Sequence, residues 1–411
     1  MLQILLVFGL LMCSLNDGNV SVSALKDTTG THMSTAEYRA KEYLRKLEEA
    51  TLHVVESPDG DVIHCVHRAR QPAFDHPLLK DHVLQVVCVN RQCLRFFGLS
   101  SECHLIVSLR QEAPSSIPKN LDMHLSHSMK IKSTNSSTAY SLFGSQLWHS
   151  RGQCPEKTVP IRRPSVNDLV NDTHSEYYHQ LGFKLINIIC RSVLDVHQYA
   201  TTQVDHTSIY GTSAVFNAWK PAVVLPIEMS IAQLWLVSGT YSGTNLNTIE
   251  AGWMRDYYKA TGCLNLNCPG FVQVTHEMLL GGTIAPMSTY RGKQFDVQPV
   301  IVWKPAVLLA NGLQEKASIV QWGGEITNSF IGNQHTSTQM GSGHFPTEGF
   351  SRAAYVRSLK IVDSSYSLVD APRPSVVYTT NSKCYSISPF FNPSWGRGFF
   401  FGGPGLNANC K

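Results

Sequence analysis

From about residue 196 onward, short runs of β-branched and aromatic residues alternate with clusters of Gly, Pro and Asn. The runs are Thr212–Trp219, Ser230–Ser238, Asn247–Trp253, Gly270–His276, Gln298–Trp303, Ala317–Gly323 and Ala353–Val362. Short strands at regular spacing with turn signals predict an all-β domain, an antiparallel sandwich or barrel. Helices do not alternate with these runs, which argues against a TIM barrel or a Rossmann fold. Upstream the pattern differs. Ser34-Thr35-Ala36-Glu37 is a capping-box start, and Ala40, Tyr43, Leu44 and Leu47 recur at helical spacing, predicting one helix over 34–50. His53 to Val66 reads as a hairpin turning at Pro58-Asp59-Gly60. Residues 68–83 are loop-like, and 111–175 are rich in Ser, Thr, Pro, Asn, His and basic residues, the composition of a linker. The expected organisation is a small α+β module and tether over 25–175, then an all-β domain over 176–411.

Residues 4–15 form a mostly apolar run, too short to span a membrane and of the length of a signal-peptide core. Val22-Ser23-Ala24 supplies a cleavage site, so 1–24 reads as a signal peptide of a soluble, secreted protein. Cys13 would leave with it, and the ten cysteines that remain would meet an oxidising compartment where disulfides are the default. Cys263 and Cys268 have four residues between them, and Cys384 and Cys410 flank a glycine-rich C-terminal segment. Neither pair has the CxxC spacing or the nearby histidines of a metal site, and no cofactor motif competes. Asn135-Ser-Ser and Asn171-Asp-Thr are glycosylation acceptors.

Charged residues are 16% of the chain, about two-thirds of the usual share, and the formal net charge is +4 with no Lys or Arg run longer than two. Nucleic-acid binding therefore has no electrostatic footprint. Seventeen histidines would add positive charge as pH falls, which suits acid-dependent behaviour.

Two glutamates stand out against this background. Asn247-Thr248-Ile249-Glu250-Ala251-Gly252-Trp253 and Gln321-Trp322-Gly323-Gly324-Glu325 each place a carboxylate in an apolar, glycine-bearing strand. Carboxylates are rare in such segments unless paired or functional. Alternation puts Ile249, Ala251 and Trp253 on one face and Thr248, Glu250 and Gly252 on the other. In the second strand, Val320, Trp322, Gly324 and Ile326 oppose Gln321, Gly323 and Glu325. Each glutamate thus occupies the polar face of a strand whose other face is core-like, and neighbouring glycines leave room for a ligand backbone.

At these motifs the chain resembles the plant neprosin-domain proteins, which include the neprosin glutamic peptidases. Glu56 to Lys80 resembles the family's activation peptide, and Gly152-Gln-Cys-Pro-Glu-Lys-Thr-Val-Pro-Ile-Arg-Arg163 a further block. Tyr210-Gly-Thr-Ser-Ala214, Asn247–Trp253, Thr261–Gln273, Gln321–Glu325 and Thr338–Pro346 complete the likeness. The resemblance implies a β-sandwich of two antiparallel sheets, made as an inactive precursor with its propeptide acting in cis. It implies peptidase activity by a glutamate pair falling on Glu250 and Glu325, with cleavage after proline in acid, and disulfides Cys263–Cys268 and Cys384–Cys410. The chain departs from the family between Trp253 and Thr261 and between Trp303 and Ala317, where it is shorter, and over 87–115 and 176–195, where it matches poorly.

Two close carboxylates cannot both ionise easily, so one can hold a proton while the other activates water. Gln321, on the Glu325 face, is a candidate to hydrogen-bond the water or the oxyanion. Trp253 and Tyr290 are candidate walls of a proline subsite. The expected partner is a proline-containing peptide or protein, and the expected location extracellular, in apoplast or cell wall, or vacuolar. The competing readings are a non-catalytic cell-wall binding homologue, favoured by the shortened segments, and a two-carboxylate glycosidase.

Overall fold

In the computed structural model, the residues described are 2–10, 25–26, 32–75, 103–110, 146–166, 169, 196–225, 228–239, 246–255, 263–264, 273, 276–303, 316–329, 334–365 and 367–411. In chain order the strands are β1 (Leu2–Leu10), β2 (Leu25–Lys26) and β3 (His32–Met33), followed by the helix α1 (Thr35–Ala50). Then come β4 (Thr51–Glu56), β5 (Val62–His67), β6 (Cys103–Arg110) and β7 (Thr158–Arg162). The larger domain carries β8 (Val196–Ile209), β9 (Gly211–Asn217), β10 (Ser230–Ser238), β11 (Asn247–Arg255), β12 (Cys263–Leu264) and β13 (Asp296–Trp303). It continues with β14 (Ala317–Asn328), β15 (Ala354–Val362), β16 (Leu368–Asp370), β17 (Val376–Thr379), β18 (Ser386–Asn392) and β19 (Gly396–Gly402).

Two antiparallel sheets dominate. One runs β12-β1-β11-β10-β14-β8-β17, the other β18-β19-β15-β9-β13-β6, with β16 on β15. Their facing sides share one core that includes Trp322, Leu234, Leu236, Ile249, Ala251, Phe216, Val356, Phe399 and Phe401. Trp322 anchors the layers to each other: its buried Nε1–H donates to Thr212 Oγ1 at 3.0 Å. The expected sandwich is the observed one. Among the described residues no helix is long and apolar enough to cross a membrane.

The N-terminal module follows its local signals. Ser34 caps α1, accepting from the Glu37 amide while its own amide donates to Glu37 at 2.9 Å, and Ala40, Leu44, Leu47 and Ala50 bury one stripe. The β4–β5 hairpin turns through Gly60 at φ +89°, a conformation open to glycine. The linker reading of 111–175 is corrected over its described part. Residues 158–162 add β7 to β5, and Cys154 is disulfide-bonded to Cys65. A single strand's worth of apolar residues among polar ones is too short to show periodicity, which is why composition missed it.

This module docks on residues 273–284. Gln71 exchanges two hydrogen bonds with the Gln273 backbone (2.8 and 2.9 Å), Gln146 two with Leu279, and His149 one with the Glu277 carbonyl. Two segments from outside the expected sandwich add strands to it. Within 87–115, β6 pairs with β13; Leu2–Leu10, read from sequence as a leader, pairs with β11 and β12 in the full-length chain. Cys384 and Cys410 are joined as expected. Cys268, and with it the Cys263 pairing, lies outside the described residues, as do Asn135, Asn171 and nearly all of Gly270–His276.

Candidate functional site

The register of the first sheet assembles the polar face. Across β11, β10, β14 and β8 one row reads Glu250, Trp235, Gln321, Gln203. Two residues on, the row is Gly252, Gln233, Gly323, Thr201, and two further it is Met254, Ile231, Glu325, Tyr199. The glutamates are therefore two strands apart, about 10 Å laterally, and offset along the strands, with Gln233 between them. Flanking that glutamine are the two glycines. A Cβ on Gly252 would come within 2.2 Å of the Ala232 carbonyl, and one on Gly323, at φ +155°, within 2.1 Å of the Ala200 carbonyl. Neither position admits a side chain without moving backbone, so Gln233 has no side chain beside it in its row on β11 or β14.

Glu250 is half-buried and accepts two hydrogen bonds, from Thr248 Oγ1 at 2.8 Å and Gln233 Nε2 at 3.0 Å. Burial pushes its carboxyl up to about 7, and the neighbouring Glu325 charge adds to that; the Thr248 and Gln233 hydrogen bonds and the field of His197 oppose it. Glu325 is 4% exposed and takes its hydrogen bond from elsewhere: His197 Nδ1 meets Glu325 Oε1. The His197 ring stacks with Tyr199, centroids 6.3 Å apart. Gln233 is 1% exposed, and its Oε1 is buried with no hydrogen-bond partner among the described residues.

The other sequence candidates fall elsewhere. Trp253 is corrected: at 3% exposure it packs edge-on against Phe216 at 5.4 Å, inside the sandwich. The alternation that turns Glu250 outward turns Trp253 inward, so it cannot wall a cleft on the glutamate face. Tyr290 stacks on His344 at 4.2 Å and donates to Glu348 at 3.0 Å, on a loop joined to the 344–351 segment. Gln321 does lie on the glutamate face, four residues from Glu325 along β14, and its Nε2 donates to Gln203 Oε1 at 2.7 Å. Aromatic and aliphatic residues that share the face are Trp235, Tyr199 and, on the exposed strand β17, Val376 and Tyr378.

Sequence reasoning missed Gln233, Thr248 and His197. Gln233 had the same signal as the glutamates, a polar residue at the centre of the apolar run Ser230–Ser238. His197 opens β8, a strand whose polar residues (Gln203, Asp205, His206) hide its alternation.

Two other buried carboxylates, Glu228 and Asp296, are satisfied by protein. Glu228 accepts from Ser329, Thr336 and Thr338, and Asp296 pairs with Arg357 at 2.8 Å and Tyr355 at 2.7 Å. His335, Cys384 and Cys410 lie within 4.8 Å of one another, but the two sulfurs are bonded together, leaving no thiolate for a metal.

With this geometry in view, two family descriptions match the chain. Neprosin matches residues 226–307 and 302–404, spanning both glutamates, and the neprosin activation peptide matches residues 54–98. The two neprosin stretches overlap at 302–307, where β13 ends.

Proposed function

Because the chain belongs to the neprosin-domain family, with a neprosin activation peptide ahead of the neprosin domain, we propose that it is a glutamic endopeptidase made as a zymogen. The observation that carries this reading is the pair itself: two carboxylates brought to one face from different strands, one of them with its carboxyl raised to about 7 by burial and by the other. At acidic pH Glu250 holds a proton and Glu325 is the partner left to act as base.

Hydrolysis then needs no metal and no covalent intermediate. Glu325 takes a proton from water as its oxygen attacks the scissile carbonyl carbon. Glu250 gives its proton to the substrate, the C–N bond breaks, and the amine leaves protonated. Gln233, held between the two, keeps Glu250 in place through Nε2 and presents Oε1 to water or to a substrate N–H. An extended peptide laid over the two glycines would meet Trp235, Tyr199 and Tyr378 as apolar walls; cleavage after proline is the specificity this family membership suggests. The N-terminal module, clasped to residues 273–284, is the propeptide acting in cis, and the enzyme is secreted once its leader is removed.

The shortened segment before β14 favours a second reading, a non-catalytic extracellular binding protein. One experiment separates them. Acid-activated wild type, Glu250→Gln and Glu325→Gln are assayed on proline-containing peptides and on plant polysaccharides at about pH 3–5. The proposed enzyme cleaves the peptides alone, and each variant loses about 10²-fold or more in rate. Peptide hydrolysis that persists in both variants defeats the glutamate mechanism, and an inactive wild type favours the binding protein.

A further inference from the structure

Glu325 is a buried carboxylate whose hydrogen bond comes from one imidazole, and that contact is unlike anything Glu250 makes. Glu250 is held by two neutral donors, a hydroxyl and an amide, whereas Glu325 faces a group that carries positive charge once protonated. A buried anion without a counter-charge is costly, and a charge-assisted hydrogen bond lowers that cost. His197 is itself 39% exposed on its side chain, so solvent protons reach it, while Glu325 beside it is at 6%. Tyr199, two residues along β8, lies near-parallel to the ring with centroids 6.3 Å apart. The charged or titratable groups facing His197 include, among the described residues, Glu325 from β14, Glu250 from β11 and Tyr199 from its own strand.

The geometry points to His197 as a positioning residue for the water-activating carboxylate: it clamps Oε1 of Glu325 and supplies the positive charge that lets this side chain sit buried as an anion. This rests on the glutamic-peptidase reading above and adds to it a third residue and an acid-side requirement. An imidazole can carry positive charge in acid, the range where burial keeps Glu250 protonated.

The test uses the activated full chain with His197→Ala, His197→Gln and His197→Lys, each checked for wild-type circular dichroism. kcat and KM are measured on one proline-containing peptide from about pH 3 to 8. His197→Ala should lower kcat by about 10- to 100-fold with KM little changed. His197→Gln, which keeps a donor but no charge, should recover part of kcat while the acid limb of the dyad's profile moves up by about one pH unit or more. His197→Lys should move that limb back toward wild type. Wild-type kinetics in His197→Ala, or a uniform fall with the acid limb unmoved in His197→Gln, overturns the proposal. If Glu250→Gln and Glu325→Gln are inactive while the His197 variants behave as wild type, only the histidine's role fails; if the glutamate variants stay active, the reading beneath it fails as well.

Discussion

Replacing Glu250 by Gln should stabilise the protein at alkaline pH and leave it unchanged in acid. The fold raises this carboxyl from 4.5 to about 7, so the folded state prefers the protonated form more than the unfolded chain does. Its favourable contribution is therefore complete below about pH 4.5 and is lost as pH rises through about 7. Each pH unit of difference corresponds to about 1.4 kcal/mol, so the gap between 4.5 and about 7 amounts to about 3 kcal/mol of stability that wild type gives up by pH 8. Glutamine cannot ionise and keeps the shape of the protonated acid, so the variant escapes that loss. Urea unfolding of the unprocessed precursor, with chain integrity checked on gels, would be measured at pH 4.5 and pH 8. The expected result is coincident midpoints in acid and, at pH 8, a variant more stable by about 2–3 kcal/mol with an unchanged slope. Adding Glu325→Gln should shrink the alkaline gap, because Glu325 is the second cause of the raised value. A constant difference at both pH values, or a wild type more stable at pH 8, would refute burial and charge pairing as the state of Glu250.

The remaining predictions probe the frame around the pair. Gly323→Ala should lower stability by about 1–3 kcal/mol, seen as a reduced urea midpoint, because its Cβ would stand 2.1 Å from the Ala200 carbonyl at a φ that side chains rarely adopt. Cys65→Ser should loosen the N-terminal module by about 2–5 kcal/mol and make the precursor easier to proteolyse between α1 and β7, while leaving the activated enzyme's melting temperature as in wild type.

Much of this protein was legible before any coordinates. The β-branched and aromatic runs that mark Ser230–Ser238 and Asn247–Trp253 as strands are local properties, and so is the 2-residue period within the glutamate strands, because successive side chains must point to opposite sides of a sheet. The same period put Glu250 and Glu325 on polar faces, and the helix over 34–50 followed from its cap and stripe. Other features depended on where strands pair, which no local pattern encodes. Register alone decides that Gln233 lies between the two glutamates, that Gly252 and Gly323 flank it, and that Gln321 meets Gln203. Trp253 shows the limit from the other side: its aromatic ring suggested a subsite, yet the alternation placing Glu250 outward requires it to fill the core. His197 and Glu325 are 128 residues apart. Their contact exists because β8 and β14 are neighbours, and the raised carboxyl of Glu250 exists because β11 lies between β1 and β10 while β14 brings a second charge near it. The sequence by itself determined that Glu250 and Glu325 are candidates for the chemistry and which way they face; only the tertiary structure decided their neighbours, because burial and charge act through space and not along the chain.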